Sequence, residues 1–180
     1  MKHHRSDSVL DDIIAITSQD PSQCYQCGKC SAGCPVREFT DTPPNRVVRF
    51  VQLGFYEEAL NSSTPWLCAG CMMCTSRCPQ NYELTKFMDA IRQIAVKRGI
   101  KPDPKTYKFH KAFLAQVENH GRSFEFGLVR DYKLQTGEFF QDLDLAPETL
   151  IKRKMGLIPN NIKDRKSIKK IFGNAKEKES

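Results

Sequence analysis

The sequence predicts an all-α protein, and three observations carry that expectation. Almost no segment of the 180 residues alternates apolar and polar with a two-residue period, as a half-buried strand would. Several segments instead repeat apolar residues at steps of three and four, the spacing of one helical face. The two cysteine-rich runs are also separated by about thirty residues of helical character. That is more than a short β-containing fold places between two closely packed runs.

In chain order, Ser8-Val9-Leu10-Asp11 resembles a capping box, and Val9, Leu10, Ile13 and Ile14 continue at helical spacing, so a helix is expected over 8–18. Asp20-Pro21-Ser22 ends it. Thr42-Pro43-Pro44 opens a second helix with Val47, Val48, Val51 and Phe50 toward the interior. Gly54 interrupts, Tyr56 to Leu60 adds a turn or two, and 61–65 reads as a loop. The clearest helix spans 83–98, with Leu84, Phe87, Met88, Ile91, Ile94 and Ala95 on one face and Gly99 placed to cap it. Asp103-Pro104 opens a helix to about Glu118, its expected face being Tyr107, His110, Phe113, Leu114 and Val117. Beyond Gly121 the aromatic residues Phe124, Phe126, Phe139 and Phe140 follow no clean period. Short helices are expected at 147–155 and 165–172.

Composition narrows the classes of function. A hydrophobic share of 39% and a mean hydropathy of -0.52 are lean for this length, which suggests a large partner surface or cofactors replacing part of the core. The net charge of +7 resides entirely in 151–180, where ten basic residues face three acidic ones; the rest of the chain is neutral. Such a tail suits an acidic partner, an anionic membrane or nucleic acid, and the plainer alternative is a solvated end. No stretch approaches the ~20 apolar residues of a membrane-spanning helix. The N-terminus lacks a small-residue cleavage site, so no signal peptide is expected. A cytoplasmic location is the default, and thiols stay reduced there, which favours metal binding over disulfides.

The chemistry lies in the cysteines. Cys24-Tyr-Gln-Cys27-Gly-Lys-Cys30-Ser-Ala-Gly-Cys34-Pro35 and Cys68-Ala-Gly-Cys71-Met-Met-Cys74-Thr-Ser-Arg-Cys78-Pro79 both read C-x2-C-x2-C-x3-C-P. No cysteine is left over. This spacing is that of bacterial two-cluster 4Fe–4S proteins, in which three cysteines wrap one cluster and the fourth reaches the other. The expected ligand sets are Cys24, Cys27, Cys30 and Cys78 for one cluster, and Cys68, Cys71, Cys74 and Cys34 for the second. Crossing of this kind would couple metal binding to folding. Two structural zinc sites would also use four cysteines each, but zinc ribbons pair two C-x2-C arms rather than running three in a row. Backbone N–H groups near Gly28, Gly33 and Gly70 are placed to approach sulfur.

Other residues read more plainly. Met72 and Met73 are expected to shield a cluster, Trp66 and Tyr25 to pack, and His110 to occupy a core or interface. His3, His4 and His120 show no ligand spacing. The sequence contains neither a phosphate loop nor a dinucleotide fingerprint, nor a nucleophile with a recognisable base. No catalytic residue is expected.

The two runs, the helical segment 44–60 with its Asn-Arg-Val-Val-Arg-Phe-Val-Gln-Leu-Gly stretch, Pro65-Trp66-Leu67-Cys68 and the helix after Pro79 together resemble the C subunit of heterodisulfide reductases. The resemblance is specific over roughly 8–100 and looser to about 160. It implies an α-helical ferredoxin fold, similar to the C-terminal half of succinate dehydrogenase iron–sulfur subunits, with a helical N-terminal extension (1–20), a cluster domain (21–100), an interface region (101–160) and a basic tail (161–180). It also implies a relay of single electrons between a flavin-containing subunit and a catalytic subunit with cysteine-rich motifs that acts on a disulfide. Alternative roles are the iron–sulfur subunit of another flavin dehydrogenase (succinate, glycolate or glycerol-3-phosphate type), a free ferredoxin shuttle, or a zinc module using the tail on nucleic acid. Nucleic acid is not expected as a partner.

Overall fold

The computed structural model describes residues 7–137, 156 and 158–179. The described residues are helical and contain no strand, so the fold is all-α. The chain divides into two compact units after Pro104.

The first unit comprises α1 (Asp7–Thr17), α2 (Lys29–Ala32), α3 (Pro44–Gln52), α4 (Tyr56–Leu60), α5 (Thr64–Leu67), α6 (Met73–Ser76) and α7 (Leu84–Lys97), with single 3-10 turns at Pro21–Gln23 and Arg37–Phe39. Helix α7 is the hub, and α1, α4, α5 and α6 all pack against it. Its buried face is Leu84, Phe87, Met88, Ile91, Ile94 and Ala95, as the periodicity predicts, with Ala90 between them. Helix α1 contributes Val9 and Ile13 to the core, and α3 contributes Val47, Val48 and Val51. Each large aliphatic group removed from water in this way contributes about 1.5–3 kcal/mol before the entropy of ordering is subtracted. Phe50, expected inside, is half-buried. Gly99 ends α7 at φ +73, where the Ile100 N–H reaches back to the Ala95 carbonyl at 2.9 Å, a closure that suits glycine.

The segment expected to be a loop at 61–65 instead runs into α5. The reason lies twenty residues upstream. The Asp41 carboxylate accepts the Ser63 N–H at 3.0 Å and the Ser62 hydroxyl at 3.2 Å, and Pro65 stands in the first turn. A carboxylate on free N–H groups at a helix start acts as a cap although it is remote in sequence.

The second unit comprises α8 (Pro104–His120), α9 (Glu125–Thr136) and α10 (Arg165–Glu179). Helix α8 runs two residues further than expected and buries a different face. Ala112 and Gln116 are inside, whereas Phe113 and Leu114 are 39% and 52% exposed. Polar Gln116 is accepted inside because its amide donates to Asp131 on α9 at 2.6 Å. Helix α9 lies where no clean period is visible, since its apolar residues Phe126, Val129 and Leu134 are exposed. Helix α10 extends about seven residues beyond the expected 165–172. The helix expected at 147–155 falls outside the described residues. Gly121, at φ +77, turns the chain after α8, and Ile162 packs against it, its N–H donating to the His120 carbonyl at 3.1 Å.

Candidate metal centre

The two cysteine runs follow the same backbone path twice. Gln26 and Gly28 have φ of +64 and +76; Gly70 and Met72, at the matching positions, have +63 and +60. Each run then enters one helical turn, α2 or α6. For Gln26 and Met72 the left-handed conformation costs about 1 kcal/mol or more each. Its effect is to turn backbone N–H groups inward: the Gln26 amide hydrogen-bonds the Cys24 sulfur, and the Gly70 amide that of Cys68. Successive right- and left-handed residues form a concave array of N–H groups suited to negative charge.

The cysteines gather around two cavities. One, of about 360 Å³, is lined by Cys24, Cys27, Cys30 and Cys78, with Cys74 also reaching it. The other, of about 450 Å³, is lined by Cys68, Cys71, Cys74 and Cys34. Cys34, the last cysteine of the first run, thus stands in the cavity of the second, and Cys78 in that of the first. Cys74 and Leu84 line both, forming a shared wall. No carboxylate or imidazole lines either cavity among the described residues. Soft thiol donors with sulfur-directed amides are the donor set of iron–sulfur ligation. The described residues contain no group of three His, Cys, Asp or Glu gathered as a single ion requires. The thiols stand around cavity walls instead.

Side chains other than the cysteines support the first cavity. Gln26 Nε2 donates to Cys24 Sγ at 3.5 Å, and the Tyr82 N–H to Cys78 Sγ at 3.3 Å. Asn45 Nδ2 donates to Gln26 Oε1 at 3.1 Å and Gln52 Nε2 to the Cys24 carbonyl at 2.6 Å, which holds the loop to α3. At the second cavity Thr85 Oγ1 lies 3.6 Å from Cys74 Sγ, and Pro35, Val36, Met73 and Met88 supply apolar wall. Burial pushes the Cys24, Cys30 and Cys68 thiols above their ordinary pKa, so ionising them requires a compensating positive charge. Burial also pushes the Tyr82 phenol well above its usual range, helped by Cys24, Asp20 and Cys78 nearby.

Sequence reading does not anticipate Gln26, Asn45, Gln52, Tyr82 or Thr85. Laying one run over the other would flag Gln26, which takes the place of Gly70. Of the three glycines expected near sulfur, Gly70 is at a cysteine sulfur, while Gly33 lies under Arg77. Trp66 is buried as expected, but Tyr25 is 57% exposed beside Cys24 and does not pack. Met72 and Met73 line the second cavity on its solvent side, both exposed.

Residues 20–82 match the 4Fe-4S dicluster domain family. The iron–sulfur C subunit of CoB–CoM heterodisulfide reductase from Methanopyrus kandleri is 36% identical over 76 residues, which is 42% of this chain and 40% of that protein. The C subunit of ferredoxin:CoB–CoM heterodisulfide reductase from Methanosarcina acetivorans is 36% identical over 85 residues, 47% of this chain and 34% of its own. A protein from Archaeoglobus profundus described as like the C subunit of heterodisulfide reductase is 33% identical over 87 residues, 48% and 46% respectively. The chain spans less than half the length of each of these relatives. No described helix is long and apolar enough to cross a membrane. Over residues 20–82 the chain is similar to the 4Fe-4S dicluster domain, and the curated relatives it matches are named as C subunits of heterodisulfide reductases or as like them.

Proposed function

We propose that this chain is the electron-relay subunit of a heterodisulfide-reductase-like complex. It holds two 4Fe–4S clusters and passes single electrons between a flavin-containing subunit and a cysteine-rich-motif subunit that acts on a disulfide. Cys24, Cys27, Cys30 and Cys78 hold one cluster, and Cys68, Cys71, Cys74 and Cys34 the other. The observation that carries this reading is that each cavity is lined by three cysteines of one run and the last cysteine of the other, with Cys74 in the wall between them. When bound, such clusters supply one-electron donor and acceptor levels.

The chain's own residues position and insulate. Leu84 and Cys74 separate the two sites, Val48 and Met88 dry their inner walls, and the amides of Gln26 and Gly70 offset thiolate charge. Cys27 and Cys71 are exposed, and they mark the edges nearest to a docked partner. The naming of the relatives as subunits supports membership of a complex. We assign residues 21–100 to cluster binding, 101–160 to contact with other subunits and 161–180 to docking on an acidic partner face, with 1–20 as a helical extension.

The test is anaerobic reconstitution of the full chain. It should take up about eight iron and eight sulfide, and lose its visible absorption on chelation. Cys34→Ser should perturb the cluster of the second run. Damage confined to the first-run cluster would refute the crossed ligand sets, and zinc binding without iron would refute the whole reading. Affinity capture from a native host should recover a flavoprotein and a cysteine-rich-motif protein.

A further inference from the structure

Tyr82 follows the second run by four residues and lines the first cavity, not the second. It is 2% exposed, and its hydroxyl has no hydrogen-bond partner among the described residues. Cys24, Asp20 and Cys78 all lie close enough to act on the phenol electrostatically. Asp20 is engaged elsewhere, its carboxylate accepting the Ser22 N–H at 2.7 Å. A buried hydroxyl deprived of water is costly unless an acceptor faces it. The cavity that Tyr82 lines is walled by Cys24, Cys27, Cys30 and Cys78, the thiols of one ligand set.

We propose that the Tyr82 hydroxyl donates a hydrogen bond to the sulfur of the cluster held by Cys24, Cys27, Cys30 and Cys78, and that this makes the first site the higher-potential of the two. The inference rests on the ligand sets proposed above. Hydrogen bonds to cluster or ligand sulfur favour the more negative, reduced form and raise its potential. The surroundings point the same way. The first site also receives the Gln26 side-chain amide and the Tyr82 N–H, and Lys29 stands in its wall. The second has an amide from Gly70 on Cys68 and the Thr85 hydroxyl 3.6 Å from Cys74 Sγ, but the rest of its wall is mainly proline, valine and methionine. Near Cys68 the charges of Arg92 and Asp89 oppose each other. A low-dielectric wall disfavours the extra negative charge of reduction. An electron held on the chain therefore rests at the first site, and the second is the station from which it arrives or to which it must be driven.

The test is a redox titration of the reconstituted full chain followed by electron paramagnetic resonance. Wild type should show two midpoints. Tyr82→Phe, which keeps the ring 6.0 Å from Phe87, should lower the upper midpoint and leave the lower one in place. A difluorotyrosine installed at position 82 is a stronger donor and should raise the upper midpoint, an opposite sign that lost packing would not produce. Cys34→Ser should alter only the lower transition. Unmoved midpoints, or movement of the lower one alone in the position-82 variants, overturn the proposal. Iron and sulfide measured on the same samples separate the two failures. Two clusters with unmoved midpoints sink the tyrosine's role alone, whereas fewer than two clusters in wild type sink the ligand reading and this inference with it.

Discussion

Arg77 lies directly over Gly33: a Cβ built on Gly33 would stand 2.5 Å from Arg77 Nη1 and 2.8 Å from its Cζ. Each of these residues immediately precedes the last cysteine of its run, so the two crossing points of the chain touch through this pair. Gly33→Ala should displace the Arg77 side chain, which is exposed and can swing away. The expected cost is below about 1 kcal/mol. In an Arg77→Ala background the same change should stabilise by about 0.5 kcal/mol, because φ −105 suits alanine. Urea denaturation of the four reconstituted variants measures the cycle; additive effects would show that the overlap carries no energy.

Asp41→Asn should cost about 1 kcal/mol at neutral pH, the usual value of a lost cap. Burial works against the Asp41 charge, but hydrogen bonds from Ser63 and Ser62 outweigh it and hold the carboxyl below its ordinary pKa. The sign follows from linkage. The folded state prefers the ionised form, so the stabilisation is present above the ordinary carboxylate pKa and fades as pH falls through the lowered one. Denaturation curves of wild type and variant should therefore converge in acid and separate toward neutrality.

Gly121→Ala should destabilise the second unit by about 2 kcal/mol or more, combining the left-handed penalty with a steric clash. The added Cβ would collide with Cγ1 and Cδ1 of Ile162. Limited proteolysis should then cut between 121 and 164 before it cuts the cysteine-bearing unit. Equal resistance of both proteins would contradict this packing.

Removal of residues 165–180 should weaken assembly with partner subunits and flatten its dependence on salt, since it deletes most of the clustered positive charge. The cut belongs after Asp164 because Ile162 is held by His120 and Gly121. The ion pair of Lys176 with Glu118, 2.8 Å long and largely exposed, should add less than about 1 kcal/mol to the unit itself. Unchanged affinity at every ionic strength would mean that the helix is merely solvated.

What the sequence displays and what it hides divide along physical lines. Helix α7 is legible because its buried face recurs at helical spacing from Leu84 to Ala95 and Gly99 supplies the stop. The eight cysteines are legible because their two runs repeat one spacing, and they gather around two cavities. The cap on α5 is invisible locally, because Asp41 acts across twenty residues of chain. Periodicity points to the wrong face of α8 because Gln116, a polar residue, takes an inside position once Asp131 provides an acceptor. Helix α9 carries its apolar residues on exposed positions, so no periodic signal announces it. Gln26 and Tyr82 are hidden for a similar reason: their roles depend on what stands next to them, and neither is a residue type that the motif specifies.

The wall that Cys74 and Leu84 share has an electrical consequence. With the two proposed clusters in place, charge taken up on one side would be felt on the other through a thin, poorly polarisable layer, where repulsion falls off slowly. The pair would then behave as a small capacitor whose second charge is harder to add than its first. On the proposed reading, a donor that releases electrons in pairs would have to deliver them to such a device singly, waiting for the first to leave before the second could follow.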